Sequence, residues 1–394
     1  MERESKSDPE IVRVSEGRFA RLEAIDWWDQ ERLARARVLV IGAGALGNEV
    51  IKNLSLLGIG HLVIVDMDRV ERSNLSRSVL FRESDEGKPK AECAAQSARQ
   101  IHPGSHAQAI AGNVLADVGL GYFRWANAVI GALDNREARL FVNRACAQVN
   151  RPWFDGGIDV LQGIVRGFAP PKTACYECTM GEVDWTLLNQ RRSCSLLARR
   201  LAVERRIPTT ATTASVIGAI QAQELVKLLH DRGPLLGTGF VFEGAEHNSY
   251  RVQYPIHPDC PWHGDPPRIE ALPWLKATTR MEQLWHEAAR RLGGLDAIDL
   301  PREMVEYLEC PSCQRRAEIF RPAESISADQ LLCPHCRVES APSFFHSIAA
   351  NSPGLSRTAQ ELGLPSWEVV WARSGTQVIG FEFAGDNPWP TATP

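Results

Sequence analysis

Short unbroken apolar runs recur along the first part of the chain: VLVIGAG from Val38, HLVIVD from His61 and ANAVIGALD from Ala126. Each is rich in β-branched and aliphatic side chains and lacks the polar alternation of a half-exposed strand, which is the pattern of strands buried on both faces of a parallel sheet. Amphipathic stretches with helical spacing separate them, one beginning near Asn48. Strand and helix alternate in this way from Val38 to about Tyr254, which predicts an α/β fold, a doubly wound Rossmann-like domain. Pro255 to Pro273 is rich in proline and marks a boundary. Beyond it the pattern predicts a helical linker over 266–300, with a helix from about Ala277 to Leu292. A small α+β module over 301–394 comes last, in which EVVWARSGTQVIGFEF alternates around Ser374 and Gly375 as a β-hairpin.

Glycines stand immediately after the first apolar run, where Gly42, Gly44 and Gly47 keep the G-x-G-x-x-G spacing. Backbone amides in such a loop approach a phosphate closely, and the helix that starts at once turns its positive end to the anion. Asp66 ends the next run, where a Rossmann-type fold binds a ribose hydroxyl. These features alone leave NAD, FAD and ATP open. The residues after Asp66 narrow the choice. In VDMDRVERSNLSRS a second acid, Asp68, precedes Asn74 and Arg77; Lys90 comes next in EGKPKAE, and Asp134 with Asn135 closes a later run in GALDN. An enzyme that cleaves ATP has to neutralise a triphosphate and a departing pyrophosphate, which calls for Arg, Lys and a magnesium-binding Asp. A nicotinamide-dependent oxidoreductase would leave Arg77, Lys90 and Asp134 without a task.

The net charge of -4 and the pI near 6.2 argue against a protein of nucleic acid or membrane surfaces, whose footprint is a basic face. MERESKSDPE carries no apolar run of the signal-peptide or membrane-spanning kind, so the expected location is cytoplasmic. There the ten cysteines are expected to serve as metal ligands or reactive thiols rather than disulfides. Cys175 and Cys178 in CYEC offer one side of a tetrahedral zinc site, and CPWH offers Cys260 and His263, with His257 as a substitute for the histidine. A thioredoxin-like redox pair is the rival reading of CYEC. Cys310, Cys313, Cys333 and Cys336 form C-x2-C-x19-C-x2-C, the spacing of a zinc ribbon, which stabilises a small core and commonly serves recognition. Cys194 stands outside any metal spacing, with Arg191 and Arg192 before it to favour the thiolate that a nucleophile requires. Cys93 and Cys146, on amphipathic helical stretches, read as packed thiols.

Over roughly residues 15–265 these motifs resemble the family of ubiquitin-activating and sulfur-carrier-activating adenylating enzymes, the ThiF or ubiquitin-activating superfamily, which includes molybdopterin-synthase and thiamine-pathway adenylyltransferases. The resemblance implies that 36–265 is an adenylation domain behind an N-terminal helical segment over 1–35, with a crossover loop over about 179–208. It implies that Gly42, Gly44 and Gly47 form the nucleotide loop, Asp66 holds the ribose, Asn74, Arg77 and Lys90 contact phosphates, and Asp134 holds magnesium. GRFARLEA resembles the family's R-[YF]-x-R segment, which would make Arg21 an arginine that reaches the ATP of a neighbouring subunit in a homodimer. Cys194 lies in the loop where the family carries the cysteine that accepts an acyl group or joins in sulfur transfer. The expected function is therefore ATP-dependent adenylation of the C-terminal glycine of a ubiquitin-like protein, thioester formation on Cys194 and transfer to a carrier enzyme. A sulfur-carrier adenylyltransferase and a non-catalytic partner subunit are the alternatives within the same fold.

Overall fold

The computed structural model describes residues 16–193, 195–201 and 208–385, with the backbone alone at 191–193 and 199–201. After two short helices, α1 (Ala20–Glu23) and α2 (Gln30–Arg35), the first three strands are β1 (Arg37–Ile41), β2 (His61–Val65) and β3 (His106–Ile110). Between them lie α3 (Ala45–Leu57) and α4 (Lys90–Ile101). Helix α3 stops at Gly58, whose φ of 83° gives the left-handed cap that a residue with a Cβ adopts only with strain. The chain continues through α5 (Val114–Asp117), α6 (Leu120–Trp125), β4 (Ala128–Gly131), α7 (Arg136–Gln148), β5 (Trp153–Ile158) and β6 (Gln162–Phe168). Then come α8 (Glu182–Ser193), α9 (Leu196–Leu201), the long α10 (Ala211–Leu229), β7 (Thr238–Glu243) and β8 (Asn248–Gln253). Among the described residues no helix is long and apolar enough to cross a membrane.

These strands make one eight-stranded sheet in the order β3-β2-β1-β4-β5-β6-β7-β8. The half from β3 to β5 is parallel, as the apolar runs predict, with Val38 paired to Leu62 on one side and Ala128 on the other. The half from β5 to β8 is antiparallel. The turn between β5 and β6 holds only Asp159, Val160 and Leu161, too short for the crossover that a parallel pair needs. Val38, Val40 and Ile64 face a core with α3, α4 and α10, while Leu39, Ile41 and Val63 face α6 and α7.

The segment over 266–300 is not a helical linker. It supplies β9 (Ile269–Lys276), α11 (Met281–Leu292) and the start of β10 (Ala297–Glu309), and both strands belong to a second sheet that α11 packs against. That sheet runs β11 (Arg316–Pro322), β10, β13 (Val369–Ser374), β14 (Gln377–Ala384), β9, with β12 (Ala341–Ile348) also on β10. Leu272 and Leu275 of β9, and Met281, Leu284 and Ala288 at helical spacing on α11, share one core with Phe381 and Phe383 of β14. Strands β13 and β14 form the expected hairpin, turning at Gly375 with φ 56°.

The two sheets are welded together. Arg302 and Glu368, whose side chains are 3% and 1% exposed, form an ion pair. Arg302 also donates to the carbonyl of Val118, and Glu368 accepts from the amide of Leu120. Arg124 of α6 meets Glu382 of β14 at 2.8 and 2.6 Å. Gly119 permits the approach, since a Cβ there would lie 2.3 Å from the Ser366 carbonyl oxygen.

Candidate functional site

The site is built at the carboxyl ends of β1 and β4, where the strand order reverses and α/β folds bind ligands. Gly42 donates to the carbonyl of Val65 and takes φ 99°, with its α-carbon so close to Ala132 that a Cβ would lie 2.2 Å from that carbonyl oxygen. A Cβ on Gly47 would lie 1.9 Å from the Gly42 carbonyl oxygen. Gly44 differs: a Cβ there would meet nothing within 4 Å. It is the N-cap of α3, with no capping side chain, so it borders open space at a helix end whose amides lack a side-chain acceptor. A phosphate fits that arrangement.

Asp66 grips the loop: its carboxylate accepts from the Ala43 amide at 2.7 Å and from the Asp68 amide at 2.8 Å. Burial raises its pKa above the usual value, and the two amides and Lys90 only partly offset that. Asp68 is the partner of Lys90, 2.8 Å away, with the Lys90 side chain 11% exposed. The pair answers for both residues, because a lysine buried that far needs a counter-charge. Asn74 is buried and caps the turn, accepting from the Glu71 amide at 2.9 Å. Arg77 is half-buried and donates to the Ser73 carbonyl at 2.6 Å. Asp134 is exposed beyond β4, and Asn135 caps α7 by accepting from the Ala138 amide at 2.8 Å. Arg21 is exposed on the first of the N-terminal helices. Cys194, and the side chains of Arg191 and Arg192, lie outside the described residues.

Sequence reasoning did not single out two supports of this site. Asn48, fully buried, donates to the carbonyls of Ala43 and Gly44 and accepts from the Leu80 amide, tying the glycine loop to the segment after Arg77. Asp155, also fully buried, accepts from Arg139 at 2.8 Å and from Arg166, while Arg139 donates to the carbonyl of Leu133, next to Asp134. A carboxylate inside the apolar run WFDGG was the available signal, since buried acids are almost always paired.

The Cys175 and Cys178 turn is held by α7: Asn143 accepts from the Tyr176 amide, and Arg144 pairs with Glu177 at 2.8 Å. Across the domain, Cys260 lies 3.6 Å from Cys175, Cys175 lies 3.8 Å from Cys178, and the Nε2 of His263 lies 3.1 Å from Cys178. Tetrahedral zinc with bonds of about 2.3 Å sets sulfur atoms about 3.8 Å apart, so this set is able to hold one ion. The His263 Nδ1 faces the Pro171 carbonyl at 3.3 Å, the outer partner that leaves Nε2 for a metal. His257 is not part of the cluster; its backbone amide donates to Cys178 instead. The second set, Cys310, Cys313, Cys333 and Cys336, comes from two matching turns, with Gln314 and Arg337 both at φ 57°. The amides of Cys336 and His335 hold the Cys333 thiol down to about 6, favouring the thiolate form that a metal binds. Cys93 and Cys146 are buried, and burial pushes both thiols up, as packed thiols behave.

A glycine loop that leaves space at a helix start on the switch point, with a buried lysine beside it and a carboxylate at the next strand end, is the arrangement that nucleotide-binding Rossmann-like folds use. The chain belongs to the ThiF family, whose family model matches residues 17–262. It is 32% identical over 243 residues to a SAMP-activating enzyme E1 of Haloferax volcanii, spanning 60% of this chain and 83% of that protein. It is 31% identical over 250 residues to a sulfur carrier protein adenylyltransferase of Thermus thermophilus, spanning 60% and 86%. Among solved structures, E. coli MccB with ATP matches with a TM-score of 0.53 at 24% identity, over 64% of this chain and 75% of that one, a likeness of fold.

Proposed function

We propose that this protein is an ATP-dependent activating enzyme for a ubiquitin-like protein. The observation that carries this reading is the space above Gly44, open to a phosphate and bordered by the loop that holds Asp66 and the Asp68–Lys90 pair. The C-terminal glycine carboxylate of the substrate attacks the α-phosphorus of ATP, an oxygen–phosphorus bond forms, and pyrophosphate leaves. Lys90 and Arg77 offset the charge on the triphosphate, Asn74 contacts a phosphate, Asp66 accepts from the ribose, and Asp134 with Asn135 beside it would hold magnesium, which neutralises phosphate charge when bound. Arg21 of a second subunit completes the charge around the phosphates in a homodimer. The Cys194 thiolate then attacks the acyl carbon; the carbon–sulfur bond forms as the carbon–oxygen bond to AMP breaks, and AMP leaves with the electron pair. Zinc in the two cysteine sets is structural, the protein works in the cytoplasm, and the thioester passes to a carrier enzyme.

A sulfur-carrier adenylyltransferase is the second reading, favoured by the Thermus thermophilus relative. It shares the adenylation step and differs in the fate of the acyl adenylate. Purified protein mixed with candidate proteins ending in Gly-Gly should exchange pyrophosphate into ATP and form a thiol-sensitive covalent adduct. Cys194→Ala should keep the exchange and lose the adduct. Exchange with no adduct in the wild type would leave the sulfur-carrier reading standing, and no exchange at all would sink both.

A further inference from the structure

The stretch from α8 to α9 is anchored in two different cores. At its start, Leu188 is buried with Leu120, Val142 and Tyr176 of the nucleotide domain, and Asp184 pairs with Arg136 at 2.9 Å. At its end, Leu196, 2% exposed, leaves that domain altogether and enters a small cluster of the C-terminal module formed by Val305, Leu308, Ala323, Ile326 and Leu331. A helix of six residues has no stability of its own, so the position of α9 rests on this burial. The socket is itself immobilised, because Arg302, three residues before Val305, is locked to Glu368 and to the carbonyl of Val118. Cys194 precedes Leu196 by two residues in the sequence.

We propose that the C-terminal module acts in cis as the second anchor of the segment that carries Cys194, with Leu196 as its positioning residue. The module then serves acyl capture directly, in addition to any recognition surface it presents. Adenylation is spared, since the glycine loop, Asp66, Lys90 and Asp134 stand on other elements. The inference rests on the reading of Cys194 as the acyl acceptor.

The test uses the full-length protein with Leu196→Ala, Leu196→Met and, from the socket side, Ile326→Ala. Leu196→Ala and Ile326→Ala should slow formation of the covalent adduct by about 10- to 100-fold, the scale of a misplaced reacting group. ATP–pyrophosphate exchange should stay within about twofold of wild type, the split expected when only the later step is touched. Leu196→Met, which refills the socket, should restore the adduct. In both alanine variants the rate at which a maleimide labels position 194 should change, and amide exchange over 195–201 should rise. An unchanged adduct rate, or exchange and adduct falling in step, overturns the proposal. If Cys194→Ala still forms the adduct, the acceptor reading has failed separately; the labelling and amide-exchange measurements then decide the anchor, and unchanged values overturn it.

Discussion

Gly44 and Gly47 share one loop for different reasons, and the difference is testable. A methyl group on Gly47 would collide with the Gly42 backbone, so Gly47→Ala should lower stability by about 1–3 kcal/mol, the range for a strained or overpacked site. A methyl group on Gly44 meets no protein atom, so Gly44→Ala should unfold at the wild-type temperature yet bind ATP at least about tenfold more weakly, as expected if it intrudes on a phosphate. Unfolding scans and ATP titration of the two variants separate the roles; full ATP affinity in Gly44→Ala would remove the phosphate from that space. At the amino ends of β2 and β3, His61 and His106 stack with ring centroids 5.1 Å apart. Burial, with the charges of His106 and Arg37, holds His61 below its ordinary pKa. The folded state therefore binds its proton less readily than the unfolded chain. That contribution is fully present above about pH 6.5 and is lost as pH falls from there toward the lowered folded value. His61→Gln should flatten the loss, read as urea midpoints between about pH 7.5 and 5 compared with wild type. The motif residues were legible because each signal is short-range: a spacing, a charge, an acid at a strand end. Asn48, Arg139 and Asp155 were not, because each also depends on a partner farther along the chain, Leu80 for Asn48 and one another for Arg139 and Asp155.

Among the elements, the parallel half of the first sheet was legible from its apolar runs, and the antiparallel half was not, since β8 is exposed along nearly all its length and carries little pattern. The first cysteine set pins the turn after β6 to the loop after β8, and the second staples the two turns beside β10 and β12. Metal analysis should find two zinc ions per chain in the wild type, and one in Cys260→Ala together with a lower unfolding temperature, because binding energy at such sites is folding energy. A variant that keeps both ions would remove Cys260 from the ligand set. His257 should be replaceable without loss of zinc, as only its backbone amide reaches the cluster.

For the whole molecule, the weld between the sheets sets how far its parts unfold separately. Removing one partner of the buried Arg302–Glu368 pair strands a charge, so Arg302→Met should cost about 3–5 kcal/mol, while Arg302→Met with Glu368→Leu should recover much of it. Chemical unfolding monitored by tryptophan fluorescence measures both, and two independent transitions in the wild type would show that the sheets do not stabilise one another. Assembly belongs to the same scale. If Arg21 completes the site of a second subunit, Arg21→Ala and Asp134→Ala, each inactive, should regain activity when mixed, since one hybrid site then holds both residues. A mixture that exchanges subunits and stays inactive would place Arg21 in its own site or outside any site. The sequence by itself determined the parallel strands, the glycine loop and the two cysteine sets, because periodicity and covalent spacing are local properties of a chain. Only the tertiary structure decided that His263 rather than His257 joins the cysteines, that Asp68 serves Lys90, that 266–300 enters the second sheet, and that Leu196 docks in the C-terminal module. Those choices depend on which distant groups exclude water from one another, and no window of neighbouring residues contains that information.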